Sequence, residues 1–149
     1  MTVMKHSSFI ISLMLGLLTT MQLSATEVEW LKQFRWEQRI ILVKVAKGNS
    51  RPVVEILKAA EGDIKERAIL WFVIDGPSVV TNYQGEPQLD VSIQLSNVYY
   101  AEEHRYGVCL IGKDGGLKHR QKRLDLDELF RRIDAMPMRR AEMRSMSRD

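Results

Sequence analysis

Cys109 is the only cysteine in this chain and its most reactive side chain. It lies between Val108 and Leu110 in an apolar run, where a free cysteine usually behaves as a small buried hydrophobic residue. A redox or peroxide-sensing thiol would instead need solvent exposure and a cationic neighbour such as His104. We therefore interpret Cys109 as structural and retain it as the one candidate redox residue.

Two further patterns resemble ligand sites, but both have simpler explanations. A zinc or iron site normally requires three or four ligands, and beyond residue 25 the chain has only two histidines, His104 and His119. Residues 113–116, Lys-Asp-Gly-Gly, lack the longer glycine pattern of a phosphate-binding loop. Their aspartate and glycines are typical of a tight turn with positive φ angles. We predict neither a metal nor another cofactor.

Arginine is concentrated near the end of the chain, where acidic residues also occur. Such runs are usually solvated helix faces, here interspersed with Asp134 and Glu142. The alternative is an anionic partner, such as a membrane surface or an acidic envelope protein. We do not expect nucleic acid as a partner, because the protein is predicted to be exported. The arginines are Arg131, Arg132, Arg139, Arg140, Arg144 and Arg148.

The first residues are typical of a signal peptide. Lys5 and His6 precede an apolar run over residues 9–18, which is too short to cross about 30 Å of hydrocarbon as a helix. Small residues follow, and we place cleavage after Ala25, with a retained membrane anchor as the alternative. No cysteine lies at this boundary, which argues against a lipid-modified N-terminus. We expect residues 1–25 to be removed and the protein to be periplasmic or secreted.

Residues 26–149 have the length and composition of a single globular domain. The chain has 149 residues, of which 45% are hydrophobic and 28% are charged, and its net charge of +3 is too small to identify a partner. Trp30, Phe34 and Trp36 offer large apolar side chains. We interpret these as cover for one edge of the core rather than as an exposed binding surface.

The hydrophobic pattern of the first half predicts an α/β fold. Residues 39–45 and 68–74 are apolar runs typical of strands buried on both faces, with an amphipathic helix from Pro52 between them. This order predicts parallel pairing through a right-handed crossover. Gly62 weakens the helical pattern before Arg67. The predicted buried face of the helix comprises Val53, Ile56, Leu57, Ala60 and Ile64.

The second half predicts a hairpin and a final helix. Residues 75–87 are rich in glycine and proline and predict a loop, whereas residues 89–103 fit a strand or a helix, of which we favour the helix. Residues 106–111 and 117–120 predict antiparallel strands joined by the turn. Asp125 and Glu128 resemble a capping box that opens a helix ending before Pro137. A frayed, basic helical tail is predicted from about residue 138.

This order of elements is that of a thioredoxin-like domain with a central mixed sheet of about four strands. Residues 108–118, VCLIGKDGGLK, and 133–140, IDAMPMRR, resemble the signatures of an exported bacterial family of unknown function. The resemblance spans about residues 36–144. It implies a peroxiredoxin-like fold, in a domain that also occurs in animal sushi-repeat and matrix coiled-coil-domain proteins. It implies no established activity.

The chain departs from working thioredoxins between the first strand and its helix, where a helix N-terminus lowers the pKa of their reactive thiol. Residues 47–51, KGNSR, contain no thiol, and no proline directly precedes the strand at 106–111. We predict a non-catalytic binding module of the cell envelope. The alternatives are an unconventional thiol enzyme or peroxide sensor using Cys109, and a membrane-surface protein using the arginine-rich tail.

The predicted binding surface combines two loops, residues 49–52 and 76–87. Both would lie at the carboxyl ends of the parallel strands, where such sheets bind ligands. The candidate binding residues are Asn49, Ser50, Arg51 and Pro52.

Overall fold

The computed structural model describes residues 27–100 and 105–148, so the predicted signal peptide and His104 lie outside the described residues. A 3-10 helix, Glu29–Phe34, opens the described chain. The strands are β1 Arg39–Val45, β2 Ile69–Asp75, β3 Ser78–Thr81, β4 Gly107–Ile111 and β5 Leu117–Gln121. The helices are α1 Ser50–Ala59, α2 Glu61–Glu66, α3 Val91–Tyr99, α4 Leu126–Asp134 and α5 Pro137–Met146. No described helix is long and apolar enough to span a bilayer.

The strands form one mixed sheet in the order β3-β2-β1-β4-β5. β1 and β2 are parallel, with Val43 opposite Val73, as the strand-helix-strand pattern predicts. The other neighbouring pairs are antiparallel. The predicted α/β class with a central mixed sheet is confirmed, and the architecture is consistent with a thioredoxin-like domain.

The sheet has five strands rather than about four, because the predicted loop at residues 75–87 contains β3. Gly76, with φ +59°, and Pro77 form a two-residue turn that returns the chain antiparallel to β2. The sequence signal for this strand is the β-branched pair Val79 and Val80 directly after the turn. Because glycine and proline flank this four-residue strand on both sides, the sequence pattern indicates a loop.

β1 is buried on both faces because helices cover each side of the sheet. Successive side chains of a strand point to opposite faces. Ile41 and Val43 therefore pack with residues of α1, α2 and α4, whereas Ile40 and Leu42 pack with the 3-10 helix and α3. The central strand thus forms the middle layer of the domain, with helices packed on both of its faces.

The 3-10 helix contributes aromatic side chains to the core. Trp30 makes edge-to-face contacts with Phe34, Phe72 and Tyr83, with ring centroids 5.2 to 5.7 Å apart. The predicted core role of Trp30 and Phe34 is confirmed. The prediction for Trp36 is wrong, since this residue is 66% exposed and has a φ of +68°. It lies in the turn into β1, where its N–H donates to the Lys113 carbonyl and its ring points outward.

The first helical region is interrupted at Ala60, between α1 and α2, rather than at Gly62. Val54 and Leu57 form the buried stripe of α1, whereas the predicted core residue Ile56 is exposed. Val54 and Leu57 are three positions apart and lie on the same face of the helix, so Ile56 lies off that face.

The later elements follow the predicted order, with one exception. Residues 91–99 form a helix, and Asp125 caps α4 by accepting a hydrogen bond from the Glu128 N–H at 2.9 Å. The exception is the predicted frayed tail, which is a regular helix, α5, anchored to the domain by a buried arginine.

Candidate functional site

The candidate binding residues lie where β1 leads into α1, at the carboxyl end of both parallel strands. Gly48, with φ +85°, lets the chain turn, and the Asn49 N–H donates to the Ala46 carbonyl at 3.0 Å. α1 then begins at Ser50, two residues before the predicted start at Pro52, so three of the four candidate residues form the first turn of the helix rather than a loop. Asn49, Arg51 and Pro52 are exposed and Ser50 is half-buried.

Asp75, the last residue of β2, occupies the space beside this helix N-terminus. Its Oδ1 accepts a hydrogen bond from the Gly48 N–H at 2.7 Å, and its Oδ2 accepts one from the Ser50 N–H at 3.3 Å. The Ser50 side chain, followed by these backbone groups, lowers the pKa of the Asp75 carboxyl. A helix N-terminus favours an anion, and here the chain supplies its own. An external anion would have to displace Asp75.

Replacing Asp75 by asparagine should loosen the start of α1, because a neutral amide is a weaker acceptor than a carboxylate. We expect lower amide-exchange protection at Gly48 and Ser50, measured by NMR, with protection in β1 unchanged. The lowered pKa means that the carboxylate contacts persist at the ordinary value of 3.8 and are lost only as the pH falls further. The wild type should therefore approach the exchange pattern of the variant only in that acidic range. Equal protection in both proteins at neutral pH would exclude this role.

Only part of the second predicted loop lies near the candidate binding residues. Gly76 adjoins Lys47 at this end of the sheet, but β3 then carries the chain away from it. Asn82 lies at the other end, where its side chain accepts from the Trp71 N–H and donates to the Ile69 carbonyl. The predicted pairing of the full loop at 76–87 with residues 49–52 is wrong, because β3 runs antiparallel to β2.

Cys109 lies in the middle of β4, opposite Leu42, and is 1% exposed. Its Sγ lies 3.0 Å from Nη1 of Arg120 on β5, and the same nitrogen donates to the Tyr99 carbonyl at 2.6 Å. Burial raises the pKa of the Cys109 thiol, against the opposing charge of Arg120. The site thus has the cationic neighbour that a reactive thiol needs, supplied by Arg120, but it lacks the exposure.

The remaining sequence candidates have local structural roles. His119 is half-buried on β5, with its Nε2 3.1 Å from Glu128 Oε1. Across residues 27–100 and 105–148, no group of three or more side chains could hold a metal ion. The tight turn predicted at 113–116 is confirmed, since Gly115 has a φ of +82° and Asp114 accepts from the Gly116 N–H at 3.0 Å.

Arg139 anchors α5 and is completely buried. Its guanidinium donates to Asp134 Oδ1 at 3.2 Å and to the Glu66 carbonyl at 3.0 Å, and it also binds the Glu66 carboxylate. Arg139 was predicted to belong to a solvated basic surface, and that prediction is wrong. The reason is that carboxylates of two other helices converge on it.

Two further arginines complete an arginine–carboxylate cluster, which consists of Arg39, Arg67, Arg139, Glu66, Asp134 and Glu142. Arg39 donates to both oxygens of Glu142, at 3.1 and 3.2 Å, and Arg67 to both oxygens of Asp134, at 3.1 and 2.8 Å. Burial acts to raise the pKa values of both carboxyls. Arg67 and Arg139 beside Asp134, and Arg39 and Lys113 beside Glu142, outweigh it and hold both pKa values below the ordinary ones. The cluster ties α5 to β1, α2 and α4.

Residues 30–142 match the family model of a domain of unknown function, DUF4174. The chain belongs to this family. The DUF4174 match begins in the 3-10 helix and ends at Glu142, so it contains the sheet, the candidate binding loop, Cys109 and the arginine–carboxylate cluster. The predicted membership of an uncharacterised family is confirmed, while its export and its peroxiredoxin-like fold stay predictions. No curated protein and no solved structure matches the chain.

Sequence reasoning missed the arginine–carboxylate cluster of the DUF4174 domain because its partners are distant in sequence. Arg39 and Glu142 are separated by 103 positions, and an unpaired arginine is almost never buried. The only local signal is the spacing of Arg139 and Glu142, which places both on one face of α5.

Two open grooves flank α1 and α2 of the DUF4174 domain. One, of about 780 Å³, lies beside β3 and is lined by Trp71, Lys58 and Lys65 among others. The other, of about 640 Å³, lies beside α4 and includes Phe130 and Arg67. The described lining residues of both grooves include no cysteine or histidine.

Proposed function

We propose that this protein is a non-catalytic binding module of the cell envelope, built on a thioredoxin-like scaffold without a redox centre. The observation that carries the proposal is Asp75 at the N-terminus of α1. In a working thioredoxin this helix end activates a thiol. Here it holds a carboxylate of the same chain, and the adjoining residues are Asn49 and Ser50.

The arrangement of the elements supports the thioredoxin-like part of the proposal. β1, α1 and β2 form the parallel unit, α3 covers the opposite face, and β4, β5 and α4 follow as a hairpin and a helix. β3 is an addition at the edge beside β2. The apolar N-terminal segment with Lys5 and His6 supports export, which brings the domain to the envelope.

Of the candidate binding residues, Arg51 is the best placed to meet a partner. It is 89% exposed, and its Nε contacts Glu55 Oε1 at 3.0 Å one turn along α1. Exposed pairs of this kind contribute only about 0.3–0.5 kcal/mol. Breaking the contact with Glu55 therefore costs little free energy, and the guanidinium is available to bind a carboxylate of an envelope protein.

Crosslinking from Pro52 tests this proposal. A photoreactive residue at position 52 should give a discrete adduct with an envelope protein, because Pro52 is exposed beside Arg51. Adding Arg51→Glu should abolish the adduct by charge repulsion while changing the free energy of unfolding by less than about 1 kcal/mol. The control carries the same photoreactive residue at the exposed Arg123. Identical adducts from both positions, or an adduct that survives Arg51→Glu, would count against a binding role for the first turn of α1.

The redox alternative retains one supporting observation, the contact between Arg120 and the Cys109 sulfur at 3.0 Å. A guanidinium stabilises a thiolate, which is the species that reacts with peroxide. A sensor of this kind would need the sheet to open at Cys109. The reactivity of the thiol therefore decides between the two functions.

A further inference from the structure

Three arginines of the last helical turns lie on one face. Arg140, Arg144 and Arg148 follow one another at a spacing of four residues, which aligns them along a helix. Arg148 lies beyond the end of α5, but its N–H donates to the Ser145 carbonyl at 3.2 Å and continues the turn. We call the exposed surface formed by Arg140, Ala141, Arg144, Ser145 and Arg148 the basic face of α5.

Among residues 134–148, the two acidic side chains point away from the basic face. Glu142 is turned inward and contacts Arg39 and Lys113, and Asp134 contacts Arg67 and Arg139. Within residues 27–100 and 105–148, no carboxylate lies within 4.0 Å of the charged nitrogens of the basic face. Folding therefore separates charges that are interspersed in the sequence, with the acids inside and three arginines outside.

We propose that the basic face of α5 binds the anionic phospholipid surface of a bilayer. Guanidinium groups match phosphate oxygens geometrically, and Ala141 and Ser145 leave the face between the arginines open to headgroups. The five residues of the face include no large apolar side chain, and the exposed Met138 and Met146 of α5 are not among them. Binding through this face is therefore electrostatic, and it is weakened by salt.

This inference rests on the proposed envelope location, because that location gives α5 access to a bilayer. It does not depend on the candidate binding residues at 49–52, which lie at the carboxyl end of β1 and β2. Vesicle binding and crosslinking from position 52 can therefore fail separately. Vesicle binding tests the basic face of α5, and crosslinking tests the proposed binding function.

Co-sedimentation of the protein, purified from cells, with vesicles tests the proposal. We expect binding to mixed phosphatidylglycerol–phosphatidylcholine vesicles at low salt and its loss at high salt or on pure phosphatidylcholine. Each arginine near an anionic surface contributes about fivefold in affinity. The triple variant R140Q/R144Q/R148Q should therefore bind on the order of a hundredfold more weakly.

The matched control is R105Q/R123Q/R131Q, which removes three exposed arginines elsewhere and changes the net charge equally. Its binding should stay within about twofold of the wild type, since these positions lie outside the basic face. Equal weakening in both triple variants overturns the proposal in favour of net charge alone. Absence of binding to the anionic vesicles at low salt also overturns it and leaves an acidic protein as the partner of this face.

Discussion

Replacing Arg139 by methionine should lower the free energy of unfolding by about 3 kcal/mol. The guanidinium is completely buried and hydrogen-bonds to groups of α2 and α4. Methionine fills much of the same space, but it leaves Asp134 and the Glu66 carbonyl without these donors. Loss of this guanidinium is costly because the half-buried Asp134 carboxylate and the Glu66 carbonyl lose buried donors that water replaces only in part. Urea unfolding followed by circular dichroism measures the change.

The neighbouring substitution Arg140→Met is the control, because it makes the same chemical change at an exposed position of α5. It should alter stability by less than about 0.5 kcal/mol. Equal destabilisation by both variants would mean that arginine in α5 matters only for helix propensity or solubility. The role assigned to the arginine–carboxylate cluster would then be incorrect.

The pH dependence of stability gives a second signature of this cluster. The pKa values of Asp134 and Glu142 are lowered from ordinary values of 3.8 and 4.5. Their ionised forms therefore stabilise the fold above those values, and this contribution is lost as the pH falls through the lowered pKa values. In the Arg139→Met variant, stability should fall less steeply over that acidic range, because Asp134 has lost one of its two arginines.

Cys109 in the folded protein should react with iodoacetamide roughly a thousandfold more slowly than in denaturant at neutral pH. The side chain is 1% exposed, and burial raises the pKa of its thiol, so both access and the thiolate fraction are reduced. Alkylation must then wait for β4 to open. Stopped samples analysed by mass spectrometry give both rates.

The variant Arg120→Gln separates the two interpretations of Cys109. If opening limits the reaction, its alkylation rate should follow the loss of stability and rise. If Arg120 activates the thiol in the folded state, the rate should fall, because the cation beside the sulfur at 3.0 Å is gone. A fast native reaction that slows in this variant would place the redox function ahead of the binding function. Peroxide would then be the first substrate to assay.

Local sequence determined the central elements of the DUF4174 domain. The apolar runs became β1 and β2 because strands covered on both faces need no polar alternation. Residues 113–116 became a turn because Asp114 and Gly115 satisfy its hydrogen-bonding and φ requirements. The candidate binding residues also lie where predicted, at the carboxyl end of β1, since that position follows from the order of the elements, but Ser50, Arg51 and Pro52 belong to α1 rather than to a loop.

The tertiary structure alone decided which charges face solvent and which lie inside. The contact of Asp75 with Ser50 requires β2 to lie beside β1, and the contact of Arg39 with Glu142 closes a separation of 103 residues. Composition cannot reveal such pairs, because a charge can be buried only where a distant partner offsets its desolvation. For the same reason Arg139 and Arg140, adjacent in sequence, have opposite environments: one holds the fold together and the other is exposed to solvent.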